Sequence, residues 1–365
     1  MRVESLHIQG FRNLSKTSLE FDPERNFVGF IGSNGQGKTN ILESLFLLGI
    51  SKSFRTTENE EMVGFDQDFF SVKGVIQRKD DPLTAEVIMT RKPLKKTLKA
   101  NGAVKKASDF IGHLSVVFFS PDDLGMVHLS PSLRRRYLDL LLSQLDRDYL
   151  ENALRYQSAL KQRNSLLRQI GDGGAQEGEL EFWDQELSRN GAVLIAKRID
   201  VIERIGAFAT PYYKEATGTG DTLSLEYQPS GGGTPDADML FGMFKKNHSR
   251  DIALGSTQSG PHRDDLRFLC NGHDLASFGS RGEWRSLILT LKFAEIELLK
   301  AKNGESPILL LDDVFSELDE SRQKTLFNSI AGCQTFITTT HREFLDVIDA
   351  EKQIFVVENG VVAPS

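Results

Sequence analysis

A glycine-rich run near the N-terminus carries one lysine and one threonine at a spacing that suits phosphate binding. Between positions 32 and 39 the pattern G-x-x-x-x-G-K-[ST] is matched by Gly32-Ser33-Asn34-Gly35-Gln36-Gly37-Lys38-Thr39. Glycines in this pattern let backbone N–H groups surround phosphate oxygens, and the N-terminus of the following helix adds positive potential. A strand-like segment at 27–31 precedes the run and a helical pattern follows it, as the motif requires. We expect this run to bind ATP, with Lys38 on the β- and γ-phosphates and the Thr39 hydroxyl on Mg²⁺.

Two neighbouring carboxylates follow an apolar run late in the chain. Residues 308–311 are Ile-Leu-Leu-Leu, which predicts a buried parallel strand, and Asp312 and Asp313 come directly after it. Ligands bind at the carboxyl ends of strands in open α/β sheets. We therefore expect Asp312 to organise Mg²⁺ through water and Asp313 to act as general base for the attacking water. The alternative is that the two carboxylates only solvate the end of the strand. The presence of the glycine-rich run in the same chain disfavours this alternative.

A histidine follows the next strand-like segment, at 335–338. A histidine in this position is, taken alone, more often structural than catalytic. Because His341 comes after the two carboxylates at a suitable interval, it is also a candidate sensor of the γ-phosphate.

A second segment places small residues at a helix start. We call Ser277–Ser286, with the sequence SFGSRGEWRS, the signature segment; a helical pattern continues from it to about Leu299. Ser280 and Gly282 stand where a helix N-terminus would expose backbone donors, which predicts a second cradle for a γ-phosphate. The alternative is an ordinary loop that starts a helix. An enzyme with one glycine-rich run has no need of a second cradle within the same chain.

A lysine-rich segment and an arginine run are candidates for DNA contacts. Residues 92–106 contain six lysines and no acid, around a hairpin signal at Asn101-Gly102. Such lysines can neutralise phosphates without reading bases, and the candidates are Lys95, Lys96, Lys99, Lys105 and Lys106. A solvated hairpin edge protected by lysine is an equal alternative. For Arg134, Arg135 and Arg136 we favour a structural role that holds an arm to the rest of the protein.

The positions of these residues predict an α/β domain made from both ends of the chain and interrupted by a helical insertion. Strand patterns occur at 69–77 and 84–90. Apolar residues then recur every three or four positions, which predicts one helix over about 132–170 with Asn152 and Arg163 breaking its seam, and a second over about 179–210. A glycine-rich turn joins them into an antiparallel arm, and a Gly/Pro-rich loop follows at 229–235. The predicted head is 1–125 plus 255–365, and the predicted arm is 126–254.

Composition excludes several classes of protein. The chain has 365 residues, 39% of them hydrophobic and 26% charged, which is ordinary for a globular protein of two domains. Its formal charge of −7 argues against a uniformly basic nucleic-acid binder, although a local basic surface remains open. Two cysteines are too few for a disulfide framework and are expected to be buried in a reducing compartment. No apolar run or signal pattern indicates membrane insertion or secretion, so we expect a cytoplasmic protein.

The signature segment is similar to that of ABC-type ATPases, and the whole chain resembles the RecF family of SMC-like ATPases. The residues that carry the resemblance are Gly10-Phe11-Arg12-Asn13-Leu14, the glycine-rich run, Lys52-Ser53-Phe54-Arg55, 119–124, 134–139, 260–265, Gly279-Ser280-Arg281-Gly282-Glu283 and 311–319. The chain departs from the family at Leu129, where glycine is usual, and at Glu283-Trp284, where glutamines are common. The segment that occupies the Q-loop region contains no glutamine.

The resemblance implies an ABC/SMC-like P-loop ATPase head built from both chain ends, with an inserted helical arm. It implies an ATP-dependent head-to-tail homodimer in which Ser280 and Gly282 bind the ATP held by Lys38 of the other subunit, with Arg12 as a further nucleotide contact. It also implies weak DNA-stimulated, Mg²⁺-dependent ATP hydrolysis, binding of double- and single-stranded DNA near their junctions, and partnership with RecR and RecO in loading RecA at gaps during DNA repair and replication.

Two other classes remain as alternatives: a nucleotide-binding subunit of a transporter, and an SMC-type structural protein. The helical arm between Lys38 and Ser280 disfavours a transporter subunit, which has a more compact spacing. The arm is also far shorter than an SMC coiled coil.

Overall fold

The computed structural model describes residues 1–217, 220–232 and 236–365. They form two compact units: unit 1 is Met1–Asp123 with Arg285–Ser365, and unit 2 is Leu124–Trp284. Residues 255–284, which the sequence pattern assigns to the head, therefore lie in unit 2. The reason is local pairing, since β10 (Asp265–Cys270) is hydrogen-bonded to β9 (Leu223–Gln228).

The helices and strands follow one another in three parts of the chain. The first part forms β1 Arg2–Phe11, β2 Leu14–Glu20, β3 Phe27–Ile31, α1 Lys38–Ile50, β4 Phe69–Gln77, β5 Leu83–Thr90, β6 Lys95–Ala100, β7 Ala103–Lys105, α2 Ala107–Phe110 and β8 Val116–Phe119. The middle forms α3 Gly125–His128, α4 Pro131–Leu145, α5 Arg147–Gly171, α6 Leu180–Thr217, β9, α7 Ala237–Lys246, α8 His248–Leu254, β10, β11 His273–Asp274 and α9 Leu275–Phe278. The last part forms α10 Arg281–Asn303, β12 Ile308–Asp312, α11 Glu320–Ile330, β13 Thr335–Thr339, α12 Glu343–Asp346, β14 Lys352–Glu358 and β15 Val361–Pro364.

Unit 1 contains a largely parallel sheet to which both chain ends contribute. Its strand order is β15-β14-β3-β13-β12-β8, with β14, β3, β13, β12 and β8 parallel and β15 antiparallel to β14. The central strands are apolar because both of their faces are covered: β13 is buried throughout, and β3 and β12 are buried except at their last residue. The predicted strand at 308–311 is confirmed, and the sheet order brings it close to the strand that leads into the glycine-rich run.

A second, antiparallel sheet in unit 1 has the order β2-β1-β4-β5-β6-β7. Burial alternates along β5, as expected for a sheet with one covered face. The predicted hairpin is confirmed: Asn101 and Gly102 have φ angles of 48° and 78° and join β6 to β7. Positive φ at both residues suits an asparagine followed by a glycine.

Unit 2 contains the predicted arm, but its first helix is two helices. The chain is extended at Asp146 (φ −140°, ψ 111°), and the Asp146 carboxylate accepts hydrogen bonds from the backbone N–H groups of Asp148 and Tyr149. The prediction of one helix over 132–170 is wrong because Asp146 caps the start of α5. The partner helix α6 runs longer than predicted, to Thr217. The predicted loop at 229–235 falls partly on residues 233–235, outside the described residues.

The arm buries charge as well as apolar side chains. Arg163 is fully buried and donates to Asp184 Oδ1 at 2.7 Å, Asp251 Oδ2 at 2.7 Å and Thr257 Oγ1 at 2.8 Å. Asn152 is also buried and donates to the backbone oxygen of Asp148. These two residues interrupt the apolar pattern in sequence, yet the structure places both within the buried seam. We call Arg163, Asp184 and Asp251 the arm charge cluster.

Two expectations drawn from composition can be compared with the structure. Cys270 and Cys333 are both free and buried, as expected. Within residues 1–217, 220–232 and 236–365, no helix is both long enough and apolar enough to cross a membrane.

Candidate functional site

The glycine-rich run connects the end of β3 to the start of α1. The Lys38 ammonium lies inside the loop and donates to the backbone oxygens of Gly32 and Ser33, at 2.6 and 2.9 Å. Burial lowers the pKa of Lys38, while the carboxylates of Asp313 and Asp312 act in the opposite direction. The loop thus presents a desolvated cation that faces the acidic strand end.

Two of its glycines have no room for a side chain. A Cβ on Gly32 would lie 2.2 Å from the backbone oxygen of Val357, and one on Gly37 would lie 2.7 Å from Asn13 Oδ1. Gly37 also has a φ of 114°, which residues with side chains rarely adopt. In this fold, close backbone and side-chain neighbours therefore require glycine at both positions.

Strand register brings the predicted Mg²⁺ ligands together. Asp312 is paired with Thr338 across β12 and β13. Asp312 Oδ1 accepts hydrogen bonds from Thr39 Oγ1 at 2.9 Å and from Thr338 Oγ1 at 2.6 Å. A hydroxyl and a carboxylate at this separation form the kind of oxygen donor set that Mg²⁺ takes, with phosphate and water completing the coordination. The residues present fit the ion, and Thr338 is a contributor that the motifs alone did not indicate.

The next residue has an uncommon backbone conformation. Asp313 has a φ of 51°, and its N–H donates to both the backbone oxygen and Oγ1 of Thr338, each at 3.2 Å. Its backbone oxygen accepts from Ser316 Oγ at 2.8 Å. A non-glycine residue held in this region is a feature that recurs at functional sites. His341 is exposed, with its N–H on Thr339 Oγ1 at 3.1 Å and its ring edge-on to Phe344.

Arg12 is held by a buried carboxylate. Its guanidinium donates to Glu43 Oε1 and Oε2 at 2.7 and 3.1 Å and to the backbone oxygen of Glu61 at 2.8 Å. Glu43 is fully buried on α1 and also accepts from Ser53 Oγ at 2.5 Å. Arg12 is therefore fastened to the helix that follows the glycine-rich run.

Asn13 is a contributor that sequence reasoning missed. Its side chain donates to the backbone oxygen of Gln36 at 3.1 Å and accepts from Asn40 Nδ2 at 2.7 Å, so it joins the loop to α1. Gln36 is also held from the C-terminal side, because its backbone oxygen accepts from the N–H of Gly360 at 3.0 Å. The Asn359-Gly360 turn signal was the sequence feature that could have indicated this second clamp.

The signature segment forms the predicted helix N-terminus, and its residues up to Trp284 belong to unit 2. Ser280 is exposed and immediately precedes α10. The Ser280 N–H donates to Glu283 Oε2 at 2.7 Å, and the Glu283 N–H donates to Ser280 Oγ at 3.3 Å. Trp284 donates through Nε1 to the backbone oxygen of Leu275 at 2.7 Å and stacks on His128 with ring centroids 4.6 Å apart. The start of this helix is thus held by its own capping residues and by contacts of Trp284 with Leu275 and His128.

The five candidate lysines differ in what they contact. Lys96 is mostly buried and donates to the backbone oxygen of Ser51 at 2.5 Å; burial, with a smaller effect of Lys52, lowers its pKa to about 8. Lys99 forms a salt bridge of 3.0 Å with Glu86. Lys95 and Lys106 are exposed, and Lys105 is partly exposed.

The arginine run has structural contacts within unit 2. Arg134 forms a two-pronged pair with Asp265, at 2.7 and 2.9 Å, and Arg135 donates to the backbone oxygen of Asp264 at 2.7 Å. These bonds join α4 to the start of β10. The expectation that the run holds the arm to the rest of the protein is therefore corrected for these two residues, because Asp264 and Asp265 belong to the same unit as α4.

A glycine-rich loop between a parallel strand and a helix, with an acidic residue at the end of another parallel strand of the same sheet, defines a P-loop nucleotide-binding protein. The family described as RecF/RecN/SMC N terminal domain matches residues 2–363. The DNA replication and repair protein RecF of Streptococcus pneumoniae strain CGSP14 is 38% identical over 369 residues, covering 100% of this chain and 99% of that protein. The chain belongs to the RecF family.

Solved structures agree with this assignment. One described as the recombination mediator protein RecF with ATP in the RecFOR pathway has a TM-score of 0.90 and 34% identity, over 100% of this chain and 97% of the other. A second, of the same mediator with ATPrS, has a TM-score of 0.90 and 33% identity, over 99% and 97%. An SMC head bound to the winged-helix domain of ScpA shares the fold, with a TM-score of 0.56 and 15% identity over 100% and 97%. The predicted ABC/SMC-like head fold and the resemblance to the RecF family are confirmed.

Proposed function

We propose that this chain is an ATP-dependent recombination mediator that closes as a head-to-tail homodimer on DNA near duplex/single-strand junctions. It acts in the cytoplasm, hydrolyses ATP weakly with stimulation by DNA, and works with RecR and RecO to load RecA at gaps. Membership of the RecF family supports this proposal, and the relatives of known structure are described as mediators in the RecFOR pathway with ATP or ATPrS. The observation that carries it is the contact between Thr39 and Asp312 beside the Lys38 loop.

In this proposal the P-loop holds the nucleotide. Lys38 exchanges its two backbone partners for phosphate oxygens, and the loop N–H groups surround the phosphates. Thr39 and Asp312 would hold Mg²⁺, which would supply positive charge against the phosphates. The hydrogen bonds of Arg12 to Glu43 and Glu61 use three of the five N–H donors of its guanidinium, so donors remain for a nucleotide while Glu43 fixes the group.

Asp313 accepts the proton of the attacking water, and His341 contacts the γ-phosphate. The backbone of Asp313 is held through its N–H by Thr338, which places this residue directly after Asp312 at the carboxyl end of β12. His341 is exposed on the loop that follows the neighbouring strand, so it can reach a ligand at this sheet edge.

Ser280 and Gly282 complete the site of a second subunit. The exposure of Ser280 at the N-terminus of α10 supports this role, since the helix dipole favours an anion there. For DNA, the exposed lysines of the β6–β7 hairpin are the best candidates among Lys95, Lys96, Lys99, Lys105 and Lys106. Lys96 and Lys99 already have partners within the chain.

Size-exclusion chromatography with ATP and Mg²⁺ tests the dimer. Asp313→Asn, which slows hydrolysis, should accumulate a dimer. Lys38→Met should lose both nucleotide binding and dimerisation, whereas Ser280→Arg should keep nucleotide binding and lose only dimerisation. A monomer under all conditions, including Asp313→Asn with bound ATP, would show that the composite site is wrong. ATP turnover that does not respond to DNA would favour a subunit of another assembly.

A further inference from the structure

The Glu283 carboxylate accepts a hydrogen bond from a backbone N–H group that the proposed function needs for phosphate binding. The signature segment forms a reciprocal capping box: the Ser280 N–H donates to the Glu283 carboxylate at 2.7 Å, and the Glu283 N–H donates to Ser280 Oγ at 3.3 Å. In such a box a side chain three residues into the helix satisfies a backbone N–H at the helix start. Here that N–H belongs to the residue proposed to grasp a γ-phosphate.

The carboxylate also brings charge to the same place. A negative side chain in the first turn is favourable for the helix, because it lies at the positive end of the helix dipole. A γ-phosphate is attracted by the same dipole and the same N–H groups. Two anions within hydrogen-bond distance of one donor repel each other, and a neutral side chain at position 283 would not do so.

We propose that Glu283 competes with the γ-phosphate of the second subunit's ATP for the Ser280 N–H, and so weakens ATP-driven dimerisation. This inference rests on the proposed function, and it names a residue that sets how tightly the dimer closes. For the dimer to form, the Glu283 side chain leaves its cap and turns toward solvent, which its partial exposure permits.

The neighbouring residue keeps the rest of the segment in place. Trp284 is fixed by its bond to the Leu275 backbone oxygen and by its stacking on His128. A Cβ on Gly279 would lie 2.6 Å from Trp284 Nε1, so this turn is also closely packed. These contacts do not involve the Glu283 carboxylate, so a substitution of Glu283 leaves them in place.

The test compares Glu283→Gln and Glu283→Ala with the wild type. Glutamine keeps an acceptor for the cap but removes the charge, and alanine removes both. Each should tighten the dimer formed with Mg²⁺ and a non-hydrolysable ATP analogue, as measured by sedimentation velocity. Loss of one capping contact should raise the affinity of the dimer about threefold at each site. A symmetric dimer has two such sites, so the dimer dissociation constant should fall about tenfold.

Glu297→Gln is the matched control, since it makes the same charge change further along α10. It should leave the dimer dissociation constant unchanged. Nucleotide affinity is measured on the same samples with a fluorescent analogue, so that a change at the P-loop is separated from a change in dimerisation. Dimerisation that is equal in the wild type and both Glu283 variants, or weaker in the variants, overturns the inference alone. Bound nucleotide without a dimer in all four proteins overturns the proposed function and the inference with it.

Discussion

Removal of Arg163 should destabilise unit 2 far more than removal of an exposed arginine on the same helix. Arg163→Met keeps an unbranched apolar stem in place of the methylenes of arginine but removes the guanidinium, which leaves the carboxylates of Asp184 and Asp251 buried without their cation. All three side chains of the arm charge cluster are fully buried. Deleting one partner of a buried ion pair costs about 3–5 kcal/mol, because the remaining charge has lost its compensation.

The remaining partners of the two carboxylates place the expected value at the lower end of that range. The second oxygen of Asp184 is 2.6 Å from His248 Nε2, and the second oxygen of Asp251 accepts from the N–H of Gln258 at 3.0 Å. Both contacts survive the substitution. We therefore expect a loss of about 3 kcal/mol, which at a slope of about 2 kcal/mol/M lowers the urea midpoint by about 1.5 M.

Intrinsic fluorescence suits this measurement, since both tryptophans, Trp183 and Trp284, belong to unit 2. Trp183 packs against the apolar cluster of Leu166, Leu167 and Leu180. The control is Arg155→Met on α5: Arg155 is 66% exposed, and its pair with Glu151 spans 3.7 Å. It should cost less than about 0.5 kcal/mol. A loss below about 1 kcal/mol for Arg163→Met, or equal losses for the two variants, would refute the reasoning.

Two further predictions concern pH and DNA. Burial raises the pKa of Glu295 to about 7, against the opposing effect of Lys292. The stability that the protonated Glu295 contributes is fully present below the unfolded pKa of 4.5 and is lost as the pH rises through about 7. The difference in melting temperature between Glu295→Gln and the wild type should therefore shift in favour of the variant between pH 5 and pH 8. Lys95→Ala with Lys106→Ala should weaken duplex binding in an anisotropy titration and flatten its salt dependence, whereas Lys99→Ala should change it less because Lys99 is paired with Glu86. Equal effects of these lysine variants would contradict the second prediction.

Local patterns were sufficient for the P-loop and its partner carboxylate. The glycine-rich run needed only its own eight residues and the strand and helix around it, because the motif depends on backbone geometry. Asp312 could be located from the apolar strand before it, since chain direction decides which end of a strand carries the ligand. The contact between Thr39 and Asp312 then follows once both strands join one sheet.

Features that depend on distant partners could not be predicted in the same way. The arm charge cluster joins Arg163 to Asp184 and Asp251, which lie 21 and 88 positions away in sequence. In the sequence alone, Arg163 is an interruption of an apolar pattern. In the sequence alone, Lys96 is likewise one lysine among several in a polar segment, and only the fold brings it to the Ser51 backbone oxygen. In both cases tertiary contacts decide the environment of the charge.

The break at Asp146 had a local signal that the periodic pattern concealed. Leucine and tyrosine positions continue on either side of it, so the helical period alone does not reveal a change of axis. An aspartate is, however, a preferred residue at a helix start. Its two bonds to the backbone N–H groups of α5 show that it serves as one here.

The position of β3 between β13 and β14 has a consequence for synthesis on the ribosome. The strand that leads into the P-loop emerges early, yet both of its neighbours lie within residues 335–358. Until those residues emerge, the apolar segment Phe27–Ile31 has no strand on either side and depends on chaperones or transient contacts for protection. Residues 124–284 form one continuous stretch and can fold as they emerge. The nascent chain is thus expected to complete its middle portion before its first portion, and a truncated translation product would contain a folded arm but no site for ATP.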